Sequence, residues 1–296
     1  MKFPMMNSDD SFHAETEVDS LDILSHIDED TDFAKDLLKN HYGNFNSDKN
    51  KRVVDGNDFI PQTPDLQKCI VDAEIRISEA FEKGSKCIIK NERYEQLLQE
   101  HSGSKLKLVV IYVDLADSTL MARDFSVERL STIMQLFYRE MSTAISIFNG
   151  HVLKYVGDAV IAFFPMDKNN SLSYSSAINC AFYMIAVLEQ AINPVLIRNQ
   201  YENLQVRIGI DASEHSIIQY DFGDKTYSDI LGYGISMAAK LTKLARANQV
   251  VISHGTYLGM PSSLRNRFLE LEISPRVWKY MDEKTQPGVW TSSVTT

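Results

Sequence analysis

Cysteine is scarce in this chain, with three among 296 residues, at Cys69, Cys87 and Cys180. An odd, widely spaced set in apolar helical or strand-like surroundings supports neither a disulfide framework nor a zinc site, and it fits a reducing, cytoplasmic setting. Positive charge is also short: the formal net charge is -10 and the pI is near 5.2. That balance excludes nucleic acid as a partner held by bulk electrostatics, so a phosphate-bearing ligand must be held by a few placed cations or by metal ions. No apolar run reaches membrane-spanning length, since the stretch Ala181 to Leu188 is interrupted by Tyr183 and ends at Glu189. The first ten residues turn acidic where a signal peptide would carry its apolar region, and no membrane partner is expected. A P-loop is missing too, because Phe222-Gly223-Asp224-Lys225-Thr226 lacks both the Gly-Lys adjacency and the upstream glycine. An aspartate-nucleophile phosphatase fails on spacing, as Asp114 and Asp117 fall off the one-residue alternation of a strand.

What is present suffices for one well-packed domain with appended segments, since hydrophobic residues make up 44% of the chain. Residues 1–64 are rich in Asp, Glu, Ser and Asn and read as mostly disordered, with a short helix near Phe33 to Leu38. Across 65–104, Leu66, Ile70, Ala73, Ile77, Ala80 and Phe81 recur at helical spacing, which predicts an amphipathic helix ending near Gly84. That helix either pairs with its copy in a dimer or packs on its own domain.

Residues 105–296 read as the main domain. It opens on the unbroken apolar strand Leu106 to Val113, which suits a central, doubly covered position. A helix over about Ser126 to Phe148 stops at Asn149-Gly150. The strands Val152 to Val156 and Ala159 to Phe164, separated only by Gly157-Asp158, predict a hairpin with an acidic tip. A helix (about Ser175 to Ala191), two strands (Val206 to Asp211 and Ser216 to Tyr220), a helix (about Ile235 to Ala245) and the strand Gln249 to Ser253 follow. The fold class is therefore α+β, with a ferredoxin-like βαββαβ core and extra C-terminal elements.

In that topology the hairpin lies beside the first strand, which brings Asp114, near that strand's end, close to Asp158 at the hairpin tip. Paired carboxylates suit two divalent cations, Mg²⁺ or Mn²⁺, which take oxygen ligands and share their remaining positions with substrate phosphates. Taken singly, Asp114 reads as a cap for the following turn and Asp158 as a turn residue.

From Lys105 to Tyr257 the sequence resembles the class III nucleotide cyclases, the adenylate and guanylate cyclase family. The matching segments are Val113-Asp114-Leu115-Ala116-Asp117-Ser118-Thr119, Lys154-Tyr155-Val156-Gly157-Asp158, Val206-Arg207-Ile208-Gly209-Ile210-Asp211, Ser228-Asp229-Ile230-Leu231-Gly232-Tyr233 and Ile235-Ser236-Met237-Ala238-Ala239-Lys240-Leu241, in the family's order. The resemblance implies that Asp114, the backbone carbonyl of Leu115 and Asp158 hold the two ions. It implies further that Lys154 and Asp229 read the base, that Ser236 and Lys240 support the transition state, and that a homodimer shares the active sites between subunits. An ammonium donor with a carboxylate acceptor suits the adenine edge, so the expected substrate is ATP and the expected product cyclic AMP.

Three departures stand out. Active family members usually carry Asn and Arg where this chain has Ser236 and Lys240, which shortens the reach and loses a bidentate fork. Ala159 follows the second aspartate in place of a common glycine, and Asp211-Ala212-Ser213 lacks the glycine expected before the next strand. A second resemblance, to the Pycsar pyrimidine cyclases of antiphage signalling, rests on Ile111-Tyr112-Val113-Asp114, on Lys240 within Ala239-Lys240-Leu241-Thr242 and on the helical stretch before the domain, although Leu153 stands where an arginine would. The remaining alternative is a cyclase fold without turnover, serving as a regulatory nucleotide-binding module.

Overall fold

A computed structural model describes residues 65–83, 92–166, 170–274, 278, 280 and 288–292. The expected disorder of residues 1–64, with its short helix, lies outside them. Helix α1 spans Leu66–Lys83 and α2 Glu92–Glu100. The sheet begins with β1 (Lys105–Leu115), followed by α3 (Ser118–Asp124) and α4 (Val127–Ile147), whose N-cap Ser126 accepts a hydrogen bond from the Arg129 amide. Asn149, at φ 59°, turns the chain out of α4 into β2 (His151–Val156), and Gly157, at φ 60°, forms the turn to β3 (Ala159–Pro165).

Next come α5 (Asn170–Val187), a π turn over Leu188–Ile192 and α6 (Asn193–Arg198), then β4 (Val206–Phe222) and β5 (Lys225–Leu231). Helix α7 covers Tyr233–Leu241 and runs into a 3₁₀ turn, Thr242–Leu244, so it ends before the expected Ala245. The chain closes with β6 (Gln249–Ser253), α8 (His254–Gly259), α9 (Ser262–Arg265), β7 (Phe268–Leu271) and β8 (Val289–Ser292).

The sheet order is β2-β3-β1-β4-β6-β8-β7, with β5 paired to β4. Its first four strands give the ferredoxin-like order, with β1 central and antiparallel to β3 and β4. The residues of β1 alternate between two cores. Val109, Ile111, Val113 and Leu115 face α1, α4 and α5, whereas Leu108 and Val110 join Leu98 of α2 and Ala238 of α7 on the opposite face. Helix α1 packs on its own domain, burying Leu66, Ile70, Ala73, Ile77 and Ala80 in the first core. Its Arg76 pairs at 2.7 Å with Glu140, which is 1% exposed and also takes Arg139 at 2.9 Å.

One expectation is corrected. The two strands Val206 to Asp211 and Ser216 to Tyr220 are a single strand, because Asp211, Ala212 and Ser213 pair across to Val110, Val109 and Leu108. Ser213 Oγ donates laterally to Asp211 Oδ2 at 2.8 Å, and His215 Nδ1 lies 3.0 Å from the Ser213 carbonyl, while the His215 Nε2 is buried without a hydrogen-bond partner. Of the described helices, Ser171–Arg198 is long and apolar enough to cross a membrane, but 78% of its apolar window is buried in the domain.

Candidate functional site

Asp114 is the penultimate residue of β1, and its strand neighbours are Ala159 on β3 and Arg207 on β4. The first of these pairings sets it beside the hairpin tip, where Asp158 accepts a short hydrogen bond from Ser118 Oγ at the start of α3. Burial first, and then the neighbouring Asp158 charge, push the Asp114 carboxyl above its ordinary pKa, while Arg207 and Lys243 pull it down. The structure thus brings the two carboxylates together, and Leu115, with its main-chain carbonyl, is the adjoining residue of the same strand end. Among the described residues no group of three or more His, Cys, Asp or Glu is placed to hold a metal. A pair of carboxylates with a main-chain carbonyl is a sparse oxygen set that fits Mg²⁺ or Mn²⁺ keeping waters and taking phosphate oxygens, and does not fit a closed structural site.

The hairpin is braced from α4. Tyr138 donates a short hydrogen bond from its hydroxyl to the Gly157 carbonyl and packs on Tyr155 with ring centroids 4.7 Å apart. Ser142, one turn further along, lies 2.7 Å from the Tyr155 hydroxyl.

A second group lies on β2 and β5. Lys154 Nζ donates to both carboxylate oxygens of Asp229, at 2.8 and 2.7 Å, with side-chain exposures of 39% and 26%. Helix α2 packs against both of these strands. Its Tyr94 lies on Phe163 at 5.9 Å, and burial together with the nearby Asp229 pushes the phenol up to about 12.

The third group is on α7, where Ser236 is exposed and Lys240 half-buried. Gly209 of β4 permits the close approach of this helix, since a Cβ there would lie 2.0 Å from the Ala238 carbonyl oxygen. Among the described residues no hydrogen bond or ion pair joins the three groups within one protomer.

Motif reading missed several neighbours of the carboxylates. Arg207 Nη2 stands 3.4 Å from Asp117, whose own φ is 57° and whose side chain caps nothing. Lys243, in the 3₁₀ turn, acts on Asp114 electrostatically, and Ser118 and Tyr138 hold the hairpin. The pairing of β1 with β4 was the available signal for Arg207, because it puts that residue directly across from Asp114.

Residues 101–272 match the model of the adenylate and guanylate cyclase catalytic domain. A cytidylate cyclase of Escherichia coli is 28% identical over 153 residues, covering 49% of this chain and 33% of that protein, so the chain spans about a third of that relative's length. A uridylate cyclase of Rhodovulum is 24% identical over 178 residues, covering 58% of this chain and 72% of that one. Among solved structures, the guanylyl cyclase Cya2 superimposes with a TM-score of 0.55 at 16% identity, over 64% of this chain and 93% of its own, a likeness of fold.

Proposed function

The chain belongs to the adenylate and guanylate cyclase family, and from that membership we propose that it converts a nucleoside triphosphate, CTP first, to the 3′,5′-cyclic nucleotide and pyrophosphate. The observation that carries the reading is the pair of neighbouring carboxylates, Asp114 and Asp158, at one end of the central strand. In the reaction the 3′-hydroxyl loses its proton, its oxygen bonds to the α-phosphorus, and the bond from that phosphorus to the bridging oxygen of the β-phosphate breaks.

Asp114, the Leu115 carbonyl and Asp158 would hold two divalent cations, which supply charge neutralisation and a lowered pKa for the attacking hydroxyl. Ser118 and Tyr138 keep Asp158 aimed. Arg207 and Lys243 add positive charge beside the carboxylates, where a triphosphate would lie.

Lys154 and Asp229 would read the base. An ammonium donor beside a carboxylate acceptor matches cytosine, whose ring N3 accepts and whose N4 amine donates, and it opposes uracil. Adenine offers the same polarity at N1 and N6, which sustains ATP as the second reading. CTP is placed first because that polarity agrees with the cytidylate cyclase relatives.

A homodimer with shared sites is the proposed assembly. Among the described residues no hydrogen bond or ion pair joins the three groups within a protomer, and in the proposed assembly a second copy completes the set. The β4–β5 arm supports this by presenting Phe222 at 77% exposure, with Tyr220 and Tyr227 stacked at 5.7 Å.

The test is incubation of the purified protein with each of ATP, GTP, CTP and UTP and Mn²⁺, with products identified by mass spectrometry. Cyclic CMP as the main product supports the assignment and cyclic AMP moves it to the second reading. No cyclic product from any of the four would sink the enzymatic reading in favour of a nucleotide-binding module.

A further inference from the structure

The lysine on α7 has a partner far away in sequence. Lys240 Nζ stands over the ring of Tyr280, 4.6 Å from its centroid. Two residues before that tyrosine, Trp278, 5% exposed, is buried in a cluster with Met237 and Leu241 of the helix, Ala245, Val251 and Val289. The Trp278 amide donates to the Ser274 carbonyl at 3.1 Å, and the Tyr280 ring meets Trp278 edge-on at 5.1 Å.

We propose that Tyr280 is a positioning residue for the cyclisation, holding the Lys240 ammonium in place by a cation–π contact; this rests on the cyclase reading above. A lysine ammonium is a point charge on a flexible stem, and it lacks the planar fork by which a guanidinium fixes its own direction. An aromatic face anchored through Trp278 supplies that direction from outside, leaving the ammonium's N–H donors directed away from the ring free for a phosphate oxygen. The ring touches no substrate in this arrangement and acts through Lys240 alone. The substitution of Lys for Arg on α7 thereby has a structural compensation about forty residues downstream.

Two readouts test it on the full-length protein. In NMR spectra of ¹³Cε-lysine-labelled protein, with the Lys240 signal assigned by its loss in Lys240→Met, the resonance is expected upfield in wild type and in Tyr280→Phe. In Tyr280→Leu it is expected at the position of an ordinary lysine. In steady-state assays Tyr280→Leu is expected to lower kcat roughly fivefold with KM nearly unchanged, whereas Tyr280→Phe stays near wild type. In a Lys240→Met background Tyr280→Leu is expected to add nothing. An unshifted Lys240 resonance in wild type, or a kcat that holds or rises in Tyr280→Leu, overturns the inference while a cyclic product from wild type leaves the cyclase reading standing. A shifted resonance in a protein that makes no cyclic nucleotide shows instead that the cyclase reading has failed, and the positioning role falls with it.

Discussion

Replacing Gly209 by alanine should separate the seating of α7 from every other contribution to activity. The new Cβ would lie 2.0 Å from the Ala238 carbonyl oxygen and 3.0 Å from both Leu241 Cβ and the Thr242 amide nitrogen. Close carbon–oxygen contacts begin at roughly 3.3 Å, so α7 has to retreat by about an ångström. All three obstructing atoms belong to Leu241 or to main chain, so no flexible side-chain tip can swing aside. Overpacking of this kind costs about 1–3 kcal/mol, and each kcal/mol lowers Tm by about 2–4 °C in a domain of this size.

The catalytic loss should be larger than the stability loss. Ser236 and Lys240 ride on α7, and a misplacement of about an ångström can cost on the order of 10²-fold in rate. Gly255→Ala is the matched control: its nearest neighbour would be the Ala212 carbonyl oxygen at 3.6 Å, an ordinary contact within a helix. That change should leave activity alone and add about 0.5–1 kcal/mol of stability. Turnover measured by product mass spectrometry, beside thermal melts of both variants, decides the matter. A Gly209→Ala protein with wild-type turnover would refute the account of how α7 is placed.

Three further outcomes are expected. Asp158→Asn should abolish cyclic product, and Mn²⁺ should raise the wild-type melting temperature while leaving the variant's unmoved; an equal Mn²⁺ shift in both would refute the metal assignment. Glu140→Gln deprives Arg76 and Arg139 of their shared carboxylate and should cost about 2 kcal/mol, below the about 3–5 kcal/mol of a fully buried pair because both arginines keep some solvent. An unchanged denaturation midpoint would contradict that estimate. His215 is 1% exposed, and its pKa is pushed below the ordinary 6.5 by burial, so the unfolded chain takes up the proton first as pH falls. Its contribution to stability is therefore lost on going below about pH 6.5, by at most about 1.4 kcal/mol per pH unit, and urea titrations of His215→Gln should show a shallower decline than wild type.

Elements whose information is local were legible in the sequence. The apolar run of β1, the periodic face of α4, its stop at Asn149-Gly150 and the Gly157-Asp158 turn each carry their own signal. Failures came where tertiary pairing overrides local polarity. Asp211-Ala212-Ser213 reads as a loop because two of its three side chains are polar, yet strand pairing to β1 and lateral hydrogen bonds make it continuous strand. Strand β5 escaped for a related reason, since Lys225-Thr226-Tyr227-Ser228-Asp229 has no apolar alternation and is held by pairing with β4. The π turn over Leu188–Ile192 precedes Pro194, which cannot donate a main-chain hydrogen bond, a constraint that helical periodicity does not reveal. At the site, Lys154 and Asp229 were singled out through family resemblance alone, as a pair that reads the base; their direct contact across 75 residues was not anticipated. Neither the placement of Arg207 opposite Asp114 nor that of Tyr280 on Lys240 has a local signature.

The central position of β1 also has a consequence for how the chain is made. It leaves the ribosome about fifty residues ahead of β3 and about a hundred ahead of the far end of its pairing with β4. At about 5–20 residues per second, the unbroken apolar segment Leu108 to Val113 waits several seconds with both edges open. Such an edge is a template for pairing with another nascent chain. Yield in a heterologous host should therefore respond to translation rate and chaperone supply.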